Sequence, residues 1–570
     1  MMSMLTPAVE PAAHLRRTVA RSERDFRIVA TVEQVLLVAS LFWTLEANRS
    51  FFNAALKGRA LSDPATWVFA LTMGVMLVAL HFLLLALVAN RWTLKPLLTV
   101  LIVATAIATY FMRSYGVYLD ASMLRNVLHT NMAEASELLS WSLPPHLLLY
   151  AVLPLTVLWR VRLVHRTWPR ALLVRVGALL LAAAASVGAL VVAYQPFSSL
   201  VRNHKEVRYL ITPANYLWSM ASVGVAHATE AAGPRQVIGL DAAPGPSWVG
   251  RSKPRVLVLV VGETVRAANW GLNGYSRQTT PQLAQLPVIN FSEVSSCGTD
   301  TEVSLPCMFA PVGRRDYNER RIRGSESLLH VLSRAGVAVH WRDNQSGCKG
   351  VCDGLSNDTV QALNPPGLCA DGRCLDEGLL YDFDDRLIHA QGVQLLVLHQ
   401  LGNHGPSYFR RYPKAFGRYQ PACESDDLRN CTRAEIVNAY DNALLYTDHL
   451  LASLIAKLQA HAESVDSALV YVSDHGESLG EMNLFLHGIP YAIAPDLQTR
   501  VHMLMWLSDG LRSAAALDTA CLQRRAAQPA SHDHLFHSVL GLLDVRTALY
   551  EPAWDLFHGC RETQARAAVR

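Results

Sequence analysis

The chain has 570 residues, of which 51% are hydrophobic and 17% charged, with a formal net charge of +4. That length exceeds one ordinary domain, and so small a charge gives no warrant for nucleic-acid binding. An apolar fraction between those of soluble and wholly embedded proteins points to two unlike parts.

Residues 28–45 form the first apolar run, and no small-residue cleavage site follows it, so it reads as a spanning helix rather than a signal peptide. Arg16, Arg17, Arg21, Arg24 and Arg27 precede it and would hold its start in the cytoplasm. Further apolar runs cover 67–89, 97–112, 146–159 and 176–194. Arg91 and Lys95 follow the second run, and Arg160, Arg162, Arg166, Arg170 and Arg175 follow the fourth, which makes both loops cytoplasmic. Arg49, Lys57 and Arg59 in the first outer loop oppose this orientation but are outnumbered. Five crossings then place everything after Gln195 in the periplasm.

Between residues 121 and 139 lies a segment too polar to span. Asn126, Thr130 and Glu134 recur every four residues there and share one helical face. Periodicity alone favours a solvated face. Residues 196–217 read as an amphipathic connector, and 233–254, rich in Gly, Pro and Ala, as a linker.

From residue 255 the pattern changes: β-branched runs at 255–261, 288–291, 337–341, 394–400, 469–473 and 501–507 alternate with helical stretches such as 326–335 and 432–458. Continuously apolar strands separated by helices predict an α/β domain whose mostly parallel sheet is covered on both faces. The organisation expected is a five-helix transmembrane domain over 1–195, a connector and linker over 196–254, and a catalytic α/β domain over 255–570.

All ten cysteines lie beyond residue 296, which fits a domain exported to an oxidising compartment. Eight form sequence-local couples, Cys297 with Cys307, Cys348 with Cys352, Cys369 with Cys374 and Cys423 with Cys431. Their gaps do not repeat a zinc-ribbon pattern, so they read as loop-closing disulfides. Cys521 and Cys560 stay unassigned.

In such a sheet, ligands gather beyond the carboxyl ends of the strands. One strand runs into Gly262-Glu263-Thr264 and another into Asp474-His475-Gly476-Glu477. A carboxylate at one exit and an Asp-His pair at another offer three ligands for zinc. A fourth, reacting position suits a threonine of the Cys297–Cys307 loop, where Thr299 and Thr301 are equally eligible by spacing. His404 and His487 sit in glycine-bearing loops, where each could hold a phosphate oxygen, move a proton or bind a second metal.

The runs VVGETVRAANWGLNGYSRQTTP, CGTDTEVSLPCMF, WRDNQSGCKGVCD, GNHGP and SDHGESLGE carry a resemblance. The chain resembles the lipid A phosphoethanolamine transferases, a family that includes the mobile colistin-resistance enzymes, within the alkaline-phosphatase-like superfamily. That resemblance implies zinc ligands at Glu263, Thr301, Asp474 and His475, with Thr301 as the residue that becomes phosphoethanolaminylated. It assigns Asn126, Thr130 and Glu134 to the lipid-donor site, against the solvated reading, and places Ser346, Lys349, His404 and His487 around the phosphoethanolamine. It further implies one tightly bound zinc ion with room for a second near His404 and His487, phosphatidylethanolamine as donor, lipid A as acceptor, and a monomer in a Gram-negative inner membrane. Sulfatases share the fold but carry a Cys/Ser-x-Pro-x-Arg motif that the Cys297 loop lacks. The alternatives are a sister transferase acting on Kdo or heptose of the lipopolysaccharide core, and a non-enzymatic zinc-binding membrane sensor.

Overall fold

The computed structural model describes residues 28–130, 132–230 and 234–561, so Arg16, Arg17, Arg21, Arg24 and Arg27 lie outside the described residues. Among the described residues, three helices are long and apolar enough to cross a bilayer: Pro64–Val88, Leu94–Tyr115 and Trp168–Val192. Asp63 caps the first by accepting from the Ala65 N–H, and Pro64 supplies the fixed φ of a first turn. Gly116, in the left-handed region at φ 71°, closes the second.

Of the five expected spanning helices, these three are continuous among the described residues. The first expected run is helix Val32–Phe42, a wide turn Trp43–Ala47 and helix Arg49–Ala55. Asn48 anchors that break, its amide donating to the carbonyls of Trp43 and Thr212 at 2.9 and 2.7 Å. The fourth run is the succession Leu143–Leu147, Leu148–Val152 and Leu153–Arg160, in which Pro144, Pro145 and Pro154 withhold backbone donors. Between the third and fourth runs stand two short helices, Ala121–His129 and Met132–Glu137; Tyr194–Asn203 and Ala214–Glu230 lead toward the second domain.

That domain is built on eight strands: β1 Arg255–Gly262, β2 Ile289–Ser295, β3 Ala338–Asp343, β4 Ser356–Thr359, β5 Val393–His399, β6 Asp466–Ser473, β7 Arg500–Leu507 and β8 Ala530–Ser531. Their order is β8-β2-β7-β6-β1-β5-β3-β4. Only β7 is reversed, pairing antiparallel with β6 and with β2, so the sheet is mixed but mostly parallel.

Every residue of β1 and β6 is buried. The pleat sends Leu257, Leu259 and Val261 into one core with Leu329 and Phe536, and Val256, Val258 and Val260 into the other with Leu444 and Leu451. Leu444 and Leu451 belong to helix Arg433–Ala460, which a reciprocal Thr432/Glu435 cap starts. The second core also takes in Tyr110 and Tyr115 from the end of the membrane helix Leu94–Tyr115, so the two domains share packing. Disulfides close the four local couples, and a fifth joins Cys521 to Cys560 across 39 residues.

His502 of β7 packs against Trp270 and Tyr471, with ring centroids 3.6 and 5.1 Å away, and is fully buried. Burial holds its imidazole well below the ordinary 6.5, so it is neutral when folded and charges on unfolding. Below about pH 6.5 the unfolded chain binds the extra proton, and stability falls by up to about 1.4 kcal/mol per pH unit from this residue. Thermal unfolding followed from about pH 7 to about pH 5 should show a shallower fall for His502→Phe than for wild type. Equal slopes would count against this source.

Candidate active site

β1 and β6 are adjacent and parallel, with Gly262 opposite Ser473, so the next residues of both strands, Glu263 and Asp474, emerge side by side. Thr264, at φ 61°, turns the chain, and its N–H donates to Asp474 Oδ1 at 3.1 Å. The His475 N–H donates to the same oxygen at 2.7 Å. His475 Nδ1 lies 2.9 Å from the Gly476 carbonyl, which can only accept, so Nδ1 carries a proton and Nε2 faces the carboxylates. Nε2 stands 3.4 Å from both Glu263 Oε1 and Asp474 Oδ2. Gly402 comes close behind them: a side chain there would put Cβ 2.7 Å from the Glu263 carbonyl oxygen.

Thr301 opens the helix Thr301–Met308, which Asp300 caps by accepting from the Val303 N–H. The Thr301 hydroxyl donates to Glu263 Oε2 at 3.0 Å and lies 3.4 Å from His475 Nε2. Ser304 ties the next turn to the Asp474 carbonyl at 2.5 Å, and the Cys297–Cys307 disulfide brackets the loop. Thr299 points elsewhere, its hydroxyl donating to the Ile489 carbonyl at 2.7 Å.

Burial opposes charge on every member of the cluster. At Asp474, burial and the neighbouring Glu263 push the carboxyl up to about 7. At Glu263, His475 overcomes the burial and holds the carboxyl well below its usual range. His475 rises to about 10, burial again opposing and Asp474 prevailing. The cluster therefore calls for a positive charge at its centre.

The residues fit a metal ion. The ligand atoms of Glu263, Asp474 and His475 all lie within 4.8 Å of one another, and Asp474 Oδ2 is buried without a hydrogen-bond partner. A tetrahedral site with bonds of about 2.1 Å has edges of about 3.4 Å, the separation that His475 Nε2 keeps from both carboxylates. Among the described residues no second group of three such side chains is found, and His404 and His487 lie with ring centroids 5.3 Å apart.

Thr301 faces a cavity of about 320 Å³ that Asn126, Thr130, Ser346, Lys349, His404 and His487 also line, with Phe111, Tyr115 and Leu138 on its apolar side. The structure thus brings six of the seven expected substrate residues together. Glu134 belongs to helix Met132–Glu137, and its side chain lies outside the described residues. Thr130 spends its proton on the Asn126 carbonyl at 2.6 Å. Lys349 Nζ donates to Ser346 Oγ at 2.7 Å and stands 4.0 Å from Glu302.

Three participants escaped the sequence reading. Glu477 bonds His487 Nδ1 at 2.8 Å and accepts from the Tyr408 hydroxyl at 2.5 Å, with burial lifting its carboxyl to about 8. Its place two residues after His475 was a usable signal. Glu302 is buried and meets Arg323 at 2.9 Å and His129 of the outer-loop helix at 3.1 Å. Glu137 receives Arg411 at 2.5 Å and Arg373 at 3.1 Å, while Arg411 Nε donates to the His404 carbonyl at 2.7 Å. Nothing local to Glu137 in the sequence marks that pairing.

Two family signatures match, one described as phosphoethanolamine transferase EptA/EptB over residues 77–228 and one as sulfatase over residues 255–545. The chain is 37% identical over 531 residues to phosphoethanolamine transferase EptA of Escherichia coli (strain K12), covering 92% of this chain and 96% of that protein. It is also 37% identical over 536 residues to phosphatidylethanolamine transferase Mcr-1 of Escherichia coli, covering 90% and 96%. The solved structure of the integral membrane lipooligosaccharide phosphoethanolamine transferase A from Neisseria meningitidis superposes with a TM-score of 0.89 at 37% identity, over 94% of this chain and 99% of that one. With a membrane domain, an alkaline-phosphatase-like catalytic domain and this level of identity over nearly its whole length, the chain belongs to the EptA/EptB family of phosphoethanolamine transferases.

Proposed function

We propose that the protein transfers phosphoethanolamine from phosphatidylethanolamine to a lipid A phosphate by two displacements at Thr301. The observation that carries this reading is the Thr301 hydroxyl, 3.0 Å from buried Glu263 at the head of a helix and open to an apolar-walled cavity. In the first displacement Thr301 Oγ1 attacks the donor phosphorus, a threonyl O–P bond forms, and the bond to the glyceride oxygen breaks, releasing diacylglycerol. In the second, an oxygen of the acceptor phosphate attacks the same phosphorus and Thr301 leaves.

A zinc ion held by Glu263, Asp474, His475 and Thr301 would supply the Lewis acidity that lets a threonine hydroxyl ionise near neutral pH and polarises the phosphoryl oxygen. The chain's own groups do the rest. Lys349 and the backbone N–H groups that open helix Thr301–Met308 stabilise phosphoryl charge. His404 and His487 stand at the cavity wall, where either can protonate the departing glyceride oxygen. The apolar wall of Phe111, Tyr115 and Leu138 suits a glyceride rather than a sugar. The acceptor reading is supported by the meningococcal relative, whose name gives lipooligosaccharide. A phosphate capped by an ammonium carries less net negative charge and binds cationic peptides less well.

The arginine asymmetry supports a chain that crosses the inner membrane five times, the two broken helical runs included, with the catalytic domain in the periplasm. A reporter active only in the periplasm should work when fused after Leu217 and stay silent after His165. The reverse pattern would reject this topology.

Thr301→Ala should abolish transfer and remove the phosphoethanolamine adduct from the intact mass of the protein, while Thr299→Ala keeps both. Glu263→Gln, Asp474→Asn and His475→Ala should each lower the zinc retained through purification, measured by elemental analysis, as well as activity. Wild-type transfer by Thr301→Ala would exclude the covalent route.

Expressed in a host without its own transferases, the protein should add one phosphoethanolamine to a lipid A phosphate and raise polymyxin tolerance; Thr301→Ala should do neither. Mass spectrometry that finds the increment only on Kdo or heptose of the core would reject lipid A as acceptor.

A further inference from the structure

Beside the apolar-walled cavity lies a second, wider cleft of about 880 Å³. The two share one wall, made of His129, Ser346 and Lys349. Arg125 of helix Ala121–His129, Arg235 of the linker, Arg323 and Lys349 face the wider cleft, against the carboxylates of Glu302 and Asp353. Glu319, paired with both Arg125 and Arg323, adds a third carboxylate, and four cations against three anions leave the cleft with one net positive charge. Its rim is apolar, with Leu128 and Met220 both more than half exposed.

We propose that this cleft is the acceptor's entrance and that Arg125 and Arg235 are specificity-determining residues for a phosphate-bearing, acylated sugar. The inference rests on the transferase reading above and adds where the second substrate binds. Charge separates the two entrances. The donor headgroup carries its own ammonium and no net charge, so a cationic cleft offers it nothing, whereas it attracts an acceptor with phosphates. Guanidinium groups match phosphate oxygens in pairs, and the exposed apolar rim meets the acyl chains. Arg235 pairs with Asp353 at 2.8 Å at a site a third exposed, so a phosphate can reach it without a large desolvation cost. Arg125 bridges to Glu319 and so holds the outer-loop helix to the catalytic domain.

Stereochemistry requires that the two cavities meet. Each displacement runs roughly in line through the phosphorus, so the leaving glyceride oxygen and the attacking acceptor oxygen pass through the same position opposite Thr301. A donor in one cavity and an acceptor in the other can both reach that position only where the cavities join, at the wall formed by His129, Ser346 and Lys349. Diacylglycerol can then withdraw into the apolar cavity as the acceptor advances from the cationic side.

The test separates the half-reactions of the full-length protein in detergent. With fluorescent phosphatidylethanolamine and no acceptor, release of labelled diacylglycerol and the adduct mass report the donor step. Transfer to lipid A in mixed micelles, titrated in lipid A, reports the acceptor step. Arg125→Ala and Arg235→Ala should each raise the acceptor KM by about tenfold, the loss of one charged hydrogen bond; in Arg235→Ala, whose residue does not line the apolar-walled cavity, the donor step should stay unchanged within about twofold. Arg235→Lys should recover most of the loss and Arg235→Glu should exceed it. An acceptor KM unmoved in both alanine variants would overturn the proposal, as would donor and acceptor steps that fall together in Arg235→Ala. If the wild-type protein itself forms no adduct, the transferase reading fails instead.

Discussion

Two carboxylates buried side by side at the ends of neighbouring parallel strands set the terms for the rest of the molecule. Glu263 and Asp474 have no exposed surface, and the strands behind them are buried along their whole length. At an effective dielectric of about 20, two unit charges about 4 Å apart repel by about 4 kcal/mol. The sheet cannot relax this repulsion, because β1 and β6 are each paired on both sides. A positive charge must therefore sit between the carboxylates, either the proton that His475 holds or a metal ion in its place. The Thr301 hydroxyl, held against Glu263, is then the group next to that charge.

The catalytic domain does not complete its own site. Phe111, Tyr115, Asn126, Thr130 and Leu138 come from the membrane domain, and without them the cavity at Thr301 loses its apolar wall. The junction is fixed by buried polar contacts as well as by packing. Glu137 is almost fully enclosed between Arg411 and Arg373, and Arg411 also holds the His404 carbonyl, so the outer-loop segment is linked to an active-site histidine through two side chains. An ion cluster so enclosed is favourable only while every member is present. Arg429, in the loop closed by Cys423 and Cys431, reaches Ser114 and the Tyr110 hydroxyl at 3.0 and 3.2 Å. The arrangement ties the shape of the cavity at Thr301 to the docking of the two domains.

The sequence pattern located six strands of the sheet and the residues at their exits, because continuous burial leaves a continuous apolar run. It passed over β4, which reads Ser-Asn-Asp-Thr, and β8, which has two residues, since edge strands need no apolar pattern. The reversal of β7 was equally invisible: a strand buried on both faces has the same composition in either direction. The membrane helices were legible where they are unbroken, whereas Pro144, Pro145 and Pro154 interrupt the fourth run, which the apolar pattern reads as one helix. Cys521 and Cys560 pair across 39 residues, a separation that local spacing cannot suggest. The pairing of Glu137 and Glu302 left no local signal, because their arginine partners are remote in sequence.

Thr299 and Thr301 show the same limit at closer range. Their composition, loop and distance from Cys297 are nearly alike, and what separates them is helix phase. Asp300 is the cap, so Thr301 takes the first helical position and turns toward Glu263, while Thr299 lies ahead of the helix and gives its hydroxyl to the Ile489 carbonyl. Position matters more here than the helix's field, because Thr301–Met308 has only eight residues and contains Pro306. Asp300 already occupies the Val303 N–H, which leaves the Thr301 and Glu302 N–H groups to meet a phosphate. The helix therefore acts chiefly as a bracket. The Asp300 cap, the Ser304 bond to the Asp474 carbonyl and the Cys297–Cys307 disulfide fix it at its start, along its length and near its end. A hydroxyl on a helix held at three points is oriented by folding itself, so the entropy of aligning Thr301 is not left to a later step.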